Sequence, residues 1–446
     1  MNYLNLLIKV LFEKNRNVYL SGIGGCGKSY LANQIKNYCK ENGIICALTS
    51  TTGVSAYNIK GQTIHSWCGI VFSKATEDNV ERIVKRILRR AKDRKKIQNT
   101  QLLIVDEVSM LGGTYLEVMD YIFKAVRQSK EPLGGLRVLF TGDFLQLPPV
   151  NDVYAFQSVV WNELNLATFE LTIPKRFDDI SYAEMLFRIR RGEHTEDDLE
   201  KLRERHKLFK QLKQEELDNC IYLFSKKKES NDFNKMKLDS IKGMPDIFVA
   251  EDMVIKCDDV ADLTLLNIND YEVVDNADME NFSKCFIALK NLYLKPGCKI
   301  MVINNISQEE GIVNGARGTF IGTQKSISPI TNAEVTLLRV KLDNGTETLL
   351  DKVLFSHQEG DEALVRIQYP VILSYGITAH KAQGLTLDKV VLNLGREIFE
   401  AGQAYVALSR CRNLNTVYIS NFVEGKLYCD NICKKFENGL KKYKLN

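Results

Sequence analysis

Residues 21–30 read SGIGGCGKSY, and Gly22 to Ser29 fit the pattern G-x-x-x-x-G-K-S. The strand-like run NVYL precedes the motif and the helical run YLANQIKNYC follows it, the strand–loop–helix context that a phosphate-binding loop requires. Glycines let backbone N–H groups turn inward around β- and γ-phosphates. Lys28 adds a point charge, Ser29 offers its hydroxyl to Mg²⁺, and the N-terminus of the following helix favours negative charge. Nucleotide contact is thereby assigned to Gly22, Gly24, Gly25, Cys26, Gly27, Lys28, Ser29 and Tyr30. The loop alone does not say what the energy of a bound nucleotide does.

At 446 residues the chain exceeds what one core supports and implies roughly two to four domains. Net charge is only +4, from 60 basic and 56 acidic residues, so an anionic partner must be met by local patches. The 11 cysteines form no paired CxxC arrangement, which with 5 scattered histidines argues against a zinc or iron–sulfur site and for reduced thiols inside a cell. In MNYLNLLIKVLFEKN, residues Leu4, Leu7, Ile8 and Leu11 repeat at helical spacing and no small-residue cleavage site follows. The segment reads as a core-facing helix, and no run reaches the ~18 apolar residues of a membrane span. A soluble intracellular protein, cytoplasmic or nuclear, is expected.

Short apolar runs alternate with helical stretches through residue 172, the pattern of a parallel sheet covered by helices on both faces. The strands expected are IICALTS (44–50), QLLIVDE (101–107) and LRVLFTGD (136–143). The second ends in Asp106 and Glu107. Beside a phosphate loop, the first carboxylate suits Mg²⁺ and the second suits orienting and deprotonating an attacking water. The third leads into TGDFLQLPPV, where Gln146 offers a neutral amide that can feel the γ-phosphate.

Further motifs carry a resemblance. STTGVSAYNIKGQTIHSW (50–67), LIVDEVSML (103–111), GDFLQLPPV (142–150), ITAHKAQGLTLDKV (377–390) and QAYVALSRCRNL (403–414) occur in this order along the chain. The stretch from Met110 to Gly135, with Asp120, Arg127 and PLGG, fits the same pattern. Together they resemble superfamily 1B helicases, specifically the petite integration frequency (PIF) family near the RecD-like group. The resemblance implies an α/β fold of two RecA-like P-loop NTPase domains. Residues 1–172 would form the first, with a small wedge insertion near 62–80. The second would take 173–297 and 367–446, around an inserted SH3-like β-barrel at 298–366. Short alternating runs such as GARGTFIG and EVTLLRVKL, split by Asn-Gly pairs, independently read as a small antiparallel barrel.

The resemblance also implies ATP as the nucleotide, with Arg176 and Arg410 as arginine fingers and Gln383 and Gly384 as further nucleotide contacts. Single-stranded DNA would meet Thr51, Thr52, His65, Phe224, Ser225, Thr378, His380 and Lys381. Two departures from the family pattern stand out. Phe177 follows Arg176 where the family has glutamine, and the first glutamine of the chain is Gln34, Asn5 standing near the place of the family's adenine-reading glutamine. The basic run 85–96 reads as an amphipathic helix with a solvated charged face, Val84, Ile87, Leu88 and Ala91 being the apolar positions. Lys226 to Lys228 fit a DNA-facing patch or a solvated helix face equally well.

The activity so implied is ATP-driven 5′→3′ movement on single-stranded and forked DNA with duplex separation, by a monomer. An RNA-directed helicase, or a nucleotide-gated clamp that grips without separating strands, remains open from sequence. A small-molecule P-loop kinase is disfavoured by the long second half. Telomere maintenance, replication, recombination and repair are all tasks of the family, and no motif selects among them.

Overall fold

A computed structural model describes residues 3–52, 55–56, 59–69, 77–89, 91–257, 263–274, 286–307, 309–359, 362–382 and 385–443. The chain divides into two compact units, Met1–Ser225 with Thr378–Asn446, and Lys226–Ile377. Among the described residues no helix is long and apolar enough to cross a membrane.

The first unit is built on a seven-stranded parallel sheet. Its strands include β1 (Val18–Gly22), β2 (Cys46–Ser50), β3 (Gln62–Thr63), β4 (Leu102–Asp106), β5 (Arg137–Gly142) and β6 (Ala167–Leu171). All five residues of β1 and of β4 are buried, as expected of parallel strands covered on both faces. Successive side chains of β1 enter opposite cores: Val18 and Leu20 join Leu7, Ile35 and Ile104, while Tyr19 joins Phe140, Phe144 and Trp161. The N-terminal helix lies on the first of these cores through Leu7 and Leu11, as its spacing implies.

The spatial order runs β6–β1–β5–β4–β2–β3. β5 thus separates the strand feeding the phosphate loop from the strand ending in Asp106, which positions the end of β5 between the two. Arg127 braces this layer, giving Nε to the carbonyl of Gly134 and Nη1 to those of Ile97, Gln98 and Thr100. In the basic helices, Val84 and Ile87 are buried and Lys85 and Arg89 exposed, but Leu88 and Ala91 also face solvent. The segment near 62–80, expected from the resemblance to form a wedge, includes the short helix Ile64–Cys68, capped by Thr63, and its residues 70–76 lie outside the described residues.

A second parallel sheet in the same unit joins Ile221–Phe224, Val390–Leu394 and Val417–Phe422. The helix Glu196–Phe209 packs on it, and Arg205 donates to the carbonyls of Val417 and Asn415 at 2.6 and 2.7 Å. The chain beyond Ile419 is built into the first sheet. Its strand Lys442–Tyr443 pairs in parallel with β6, and Tyr443 stacks on Phe169 at 5.0 Å. Phe436 of the helix Asn431–Gly439 stacks on Phe156 at 4.1 Å and meets Phe144 edge-on at 5.4 Å.

The second unit is β-rich. An antiparallel sheet of five strands includes Lys299–Val302, Arg317–Ile327 and Glu334–Leu342 around Phe320, Leu338 and Val340. A second sheet sets Glu362–Gln368 between Val353–Glu359 and Glu251–Lys256. The antiparallel texture therefore starts at Asp246 and ends at Leu373, wider than the 298–366 expected from sequence. The physical reason is that Glu251–Lys256 is a short, partly charged strand whose partner lies more than a hundred residues on, as the Arg366–Asp252 pair (|i−j| 114) records. That ion pair is bidentate at 2.7 Å on each arm and buried.

Candidate active site

The turn after β1 is shaped by Gly25 and Gly27, at φ +81° and +94°, where side chains are strained. Gly25 is also a close approach: a Cβ there would meet Cβ of Arg176 at 2.5 Å, and its carbonyl accepts the N–H of Lys175 at 2.9 Å. The helix Lys28–Glu41 starts from this turn. Lys28, buried, donates Nζ to the carbonyls of Gly22 and Ile23 at 2.6 and 3.0 Å. Gly24, Gly25, Gly27, Lys28, Ser29 and Tyr30 line one cavity of about 490 Å³. Cys26 turns its side chain into the core instead.

Asp106 and Glu107 follow at the end of β4. Ser29 Oγ donates to Asp106 Oδ2 at 2.6 Å, and Thr141 of β5 holds the other oxygen of Asp106. Glu107 lines the cavity at φ +55°, a left-handed conformation a non-glycine residue adopts at a cost. Its carbonyl accepts Thr51 Oγ1 at 2.8 Å, which ties β2 to the strained residue. Gln146 lines the same cavity and donates Nε2 to Asp143 Oδ2 at 3.3 Å.

Arg176 and Arg410, 234 positions apart in sequence, both reach the cavity. Arg176 donates to the Ser409 carbonyl at 3.1 Å, and Arg410 donates to the Val406 carbonyl at 2.8 Å and the Ser409 hydroxyl at 2.7 Å. Burial pushes the Arg410 guanidinium down to about 9, and repulsion from Arg176 adds to this. Burial likewise lowers Arg176. Lys28, Lys175, Arg176, Arg410 and Arg412 thus face the cavity with Glu107 as the carboxylate among its described lining residues. Such a charge balance suits a polyanion whose arrival offsets the desolvation of the arginines.

Lys175 and Arg412 went unmarked in the sequence, although Lys175 adjoins Arg176 and Arg412 lies two residues after Arg410. Tyr405, whose hydroxyl accepts the Gly24 N–H at 2.9 Å, lies inside the QAYVALSR motif without a role assigned to it. Gly402 (φ +74°) sits so close to the GDFLQLPP loop that a Cβ would meet the carbonyls of Leu145 and Gln146 at 2.5 and 2.6 Å. Asn5 is exposed and is not among the residues lining the cavity.

The residues expected to meet DNA lie on several elements. Thr51 is bound to Glu107, and Thr52 caps the N–H of Ser55 at 3.2 Å. His65 packs its ring on Tyr115 at 4.3 Å, and Phe224 lies parallel to Tyr222 at 6.3 Å. Ser225 and Thr378 are buried. Gln383 and Gly384 lie outside the described residues, as do the side chains of His380 and Lys381.

Residues 3–200 match the family model described as PIF1-like helicase, and residues 280–322 match the one described as DNA helicase Pif1, 2B domain. The chain is 30% identical over 456 residues to the ATP-dependent DNA helicase Pif1 of Campylobacter jejuni, covering 96% of this chain and 94% of that one. It is 31% identical over 418 residues to the ATP-dependent DNA helicase PIF1 of Xenopus laevis, covering 91% of this chain and 59% of that protein. The chain therefore spans about three fifths of the length of the vertebrate relatives it matches. Among solved structures, the Pif1 helicase of Candida albicans superposes with a TM-score of 0.80 at 28% identity, covering 98% of each chain.

Proposed function

The chain belongs to the PIF1-like helicase family, and on that premise we propose that it is an ATP-dependent DNA helicase moving 5′→3′ on single strands and separating duplexes. The observation that carries this reading is the convergence of Lys28, Glu107, Gln146, Arg176 and Arg410 around one cavity, with Asp106 bonded to its lining residue Ser29. It is the set an NTPase needs when γ-phosphate must be shared between two bodies.

In this reading the loop amides and Lys28 bind the β- and γ-phosphates. Glu107 orients the attacking water and takes its proton. Arg176 and Arg410 stabilise the charge developing on the transferred phosphoryl group, and Gln146 reports whether γ-phosphate is present. The donor set fits magnesium, since the Ser29 hydroxyl and Asp106 carboxylate are hard oxygen groups 2.6 Å apart. Ser29 and Asp106 would hold Mg²⁺, which supplies charge neutralisation at the β- and γ-phosphates.

The two RecA-like bodies are assigned to residues 1–172 and to the parallel sheet of Ile221–Phe224, Val390–Leu394 and Val417–Phe422, with the β-rich unit Lys226–Ile377 as the insertion. Single-stranded and forked DNA are the partners, met by Thr51, Thr52, His65, Phe224, Ser225, Thr378, His380 and Lys381, and the enzyme acts as a monomer. The Thr51–Glu107 bond supports coupling between the strand-binding side and hydrolysis. ATP turnover measured with and without single-stranded DNA tests the reading. Stimulation of about tenfold or more, abolished in Lys28→Ala, is expected. Equal turnover with and without DNA would overturn it.

A further inference from the structure

The GDFLQLPP loop carries a buried ion pair that the roles above leave unused. Asp143 is fully buried and takes Arg190 Nε on both oxygens, at 2.8 and 3.0 Å, and Nη2 on Oδ1 at 2.6 Å. Arg190 ends the helix Ile180–Arg190, beyond β6, and is 1% exposed. The same carboxylate accepts Nε2 of Gln146 and the N–H of Leu145, while the Asp143 carbonyl accepts the N–H of Gln146. On its other side Arg190 stands 3.7 Å from Glu437 of the C-terminal helix. Glu437 Oε1 accepts Ser21 Oγ at 3.1 Å, in the strand that feeds the phosphate loop.

Burial alone would raise the Asp143 carboxyl, and Arg190 overrides this to hold it below the usual carboxylate range. The pair is therefore ionised. An apolar pair of like volume would join the two elements as firmly, because desolvating two ions offsets most of their attraction. What an apolar pair cannot supply is direction. A two-pronged guanidinium fixes the Asp143 side chain, and Asp143 in turn fixes the amide of Gln146.

We propose that Arg190 is a positioning residue for hydrolysis: through Asp143 it holds the Gln146 amide at the cavity, and Glu437 of the C-terminal helix holds Arg190. The C-terminal helix is then part of the hydrolytic apparatus. The proposal rests on the reading of Gln146 given above.

ATP turnover at saturating single-stranded DNA, the KM for ATP and the melting temperature are measured for Gln146→Ala, Arg190→Lys, Glu437→Gln and each of the last two combined with Gln146→Ala. Lysine keeps the charge and loses the two-pronged contact, so Arg190→Lys lowers kcat about tenfold with KM changed less than about twofold. Glu437→Gln keeps the size and the Ser21 contact, folds as the parent does, and lowers kcat about threefold. In the Gln146→Ala background neither change costs more than about twofold, because no amide remains to be held. If Arg190→Lys fails to fold, the Glu437→Gln pair carries the same comparison. Losses that multiply in the double variants overturn the proposal, as does an unchanged kcat in Glu437→Gln. Unchanged turnover in Gln146→Ala itself overturns the reading of Gln146 and the relay with it.

Discussion

Gly24 of the phosphate loop donates its backbone N–H to the Tyr405 hydroxyl at 2.9 Å, so the loop and the helix Gln403–Leu408 are joined directly. Burial, with the Asp143 charge nearby, pushes the Tyr405 phenol up, and it keeps its proton at neutral pH. Tyr405→Phe retains the ring and leaves the Gly24 N–H without this acceptor, at a cost of about 1–3 kcal/mol in unfolding free energy. A phosphate oxygen then restores the missing bond, so ADP binds more tightly in the variant. Urea denaturation and calorimetric titration with ADP measure the two effects.

Arg410 predicts a pH dependence. Its guanidinium is pushed down to about 9 by burial and by Arg176, and a bound triphosphate restores its proton affinity. As pH rises through that value the free protein loses the proton that the ATP complex keeps. Binding then requires proton uptake, and ATP affinity falls above pH 9 by up to about tenfold per pH unit. Arg410→Met removes this dependence. Turnover of the variant falls by about 10³-fold or more, and loss of the Val406 and Ser409 contacts lowers its melting temperature. Nucleotide affinity from pH 7 to 10 and thermal melting of both proteins provide the check.

Glu107 combines a chemical and a conformational demand, since it stands at φ +55° at the end of β4. Glu107→Gln keeps the shape and loses the base, so turnover falls about 10²–10⁴-fold while ATP still binds. Glu107→Gly is equally inactive and relieves roughly 1 kcal/mol of backbone strain. A higher melting temperature for the glycine variant than for the glutamine variant shows this separation of roles.

The C-terminal helix contributes to the core of the first sheet through Phe436, between Phe156 and Phe144. Phe436→Ala costs about 3 kcal/mol of stability. Chemical denaturation followed by tryptophan fluorescence is a suitable readout, since Trp161 lies 6.1 Å from this ring.

What could be read from sequence is what short segments encode. Asp106 and Glu107 close β4, while Ser29 and Gln146 follow β1 and β5 by a short turn; the apolar runs of these strands are visible, and parallel strands bring their ends together. Arg410 is legible because its motif is long. Arg190 and Glu437 are not: each is one charged residue on an ordinary helix, and Glu437 meets Ser21 across 416 positions. Only the folded chain shows that they are buried and paired. The tail strand Lys442–Tyr443 has two residues, too few for any alternation, and owes its place to the open edge of β6. The start of the β-rich unit is hidden for a related reason, since Glu251–Lys256 shows neither a clean period of two nor a nearby partner.

The most direct measurement is strand separation on matched duplexes that carry only a 5′ or only a 3′ single-stranded tail, with Lys28→Ala as control. ATP-dependent separation of the 5′-tailed duplex alone, absent in the control, is the predicted result. Separation from the 3′ tail alone, or ATP turnover without separation on either substrate, would contradict the account.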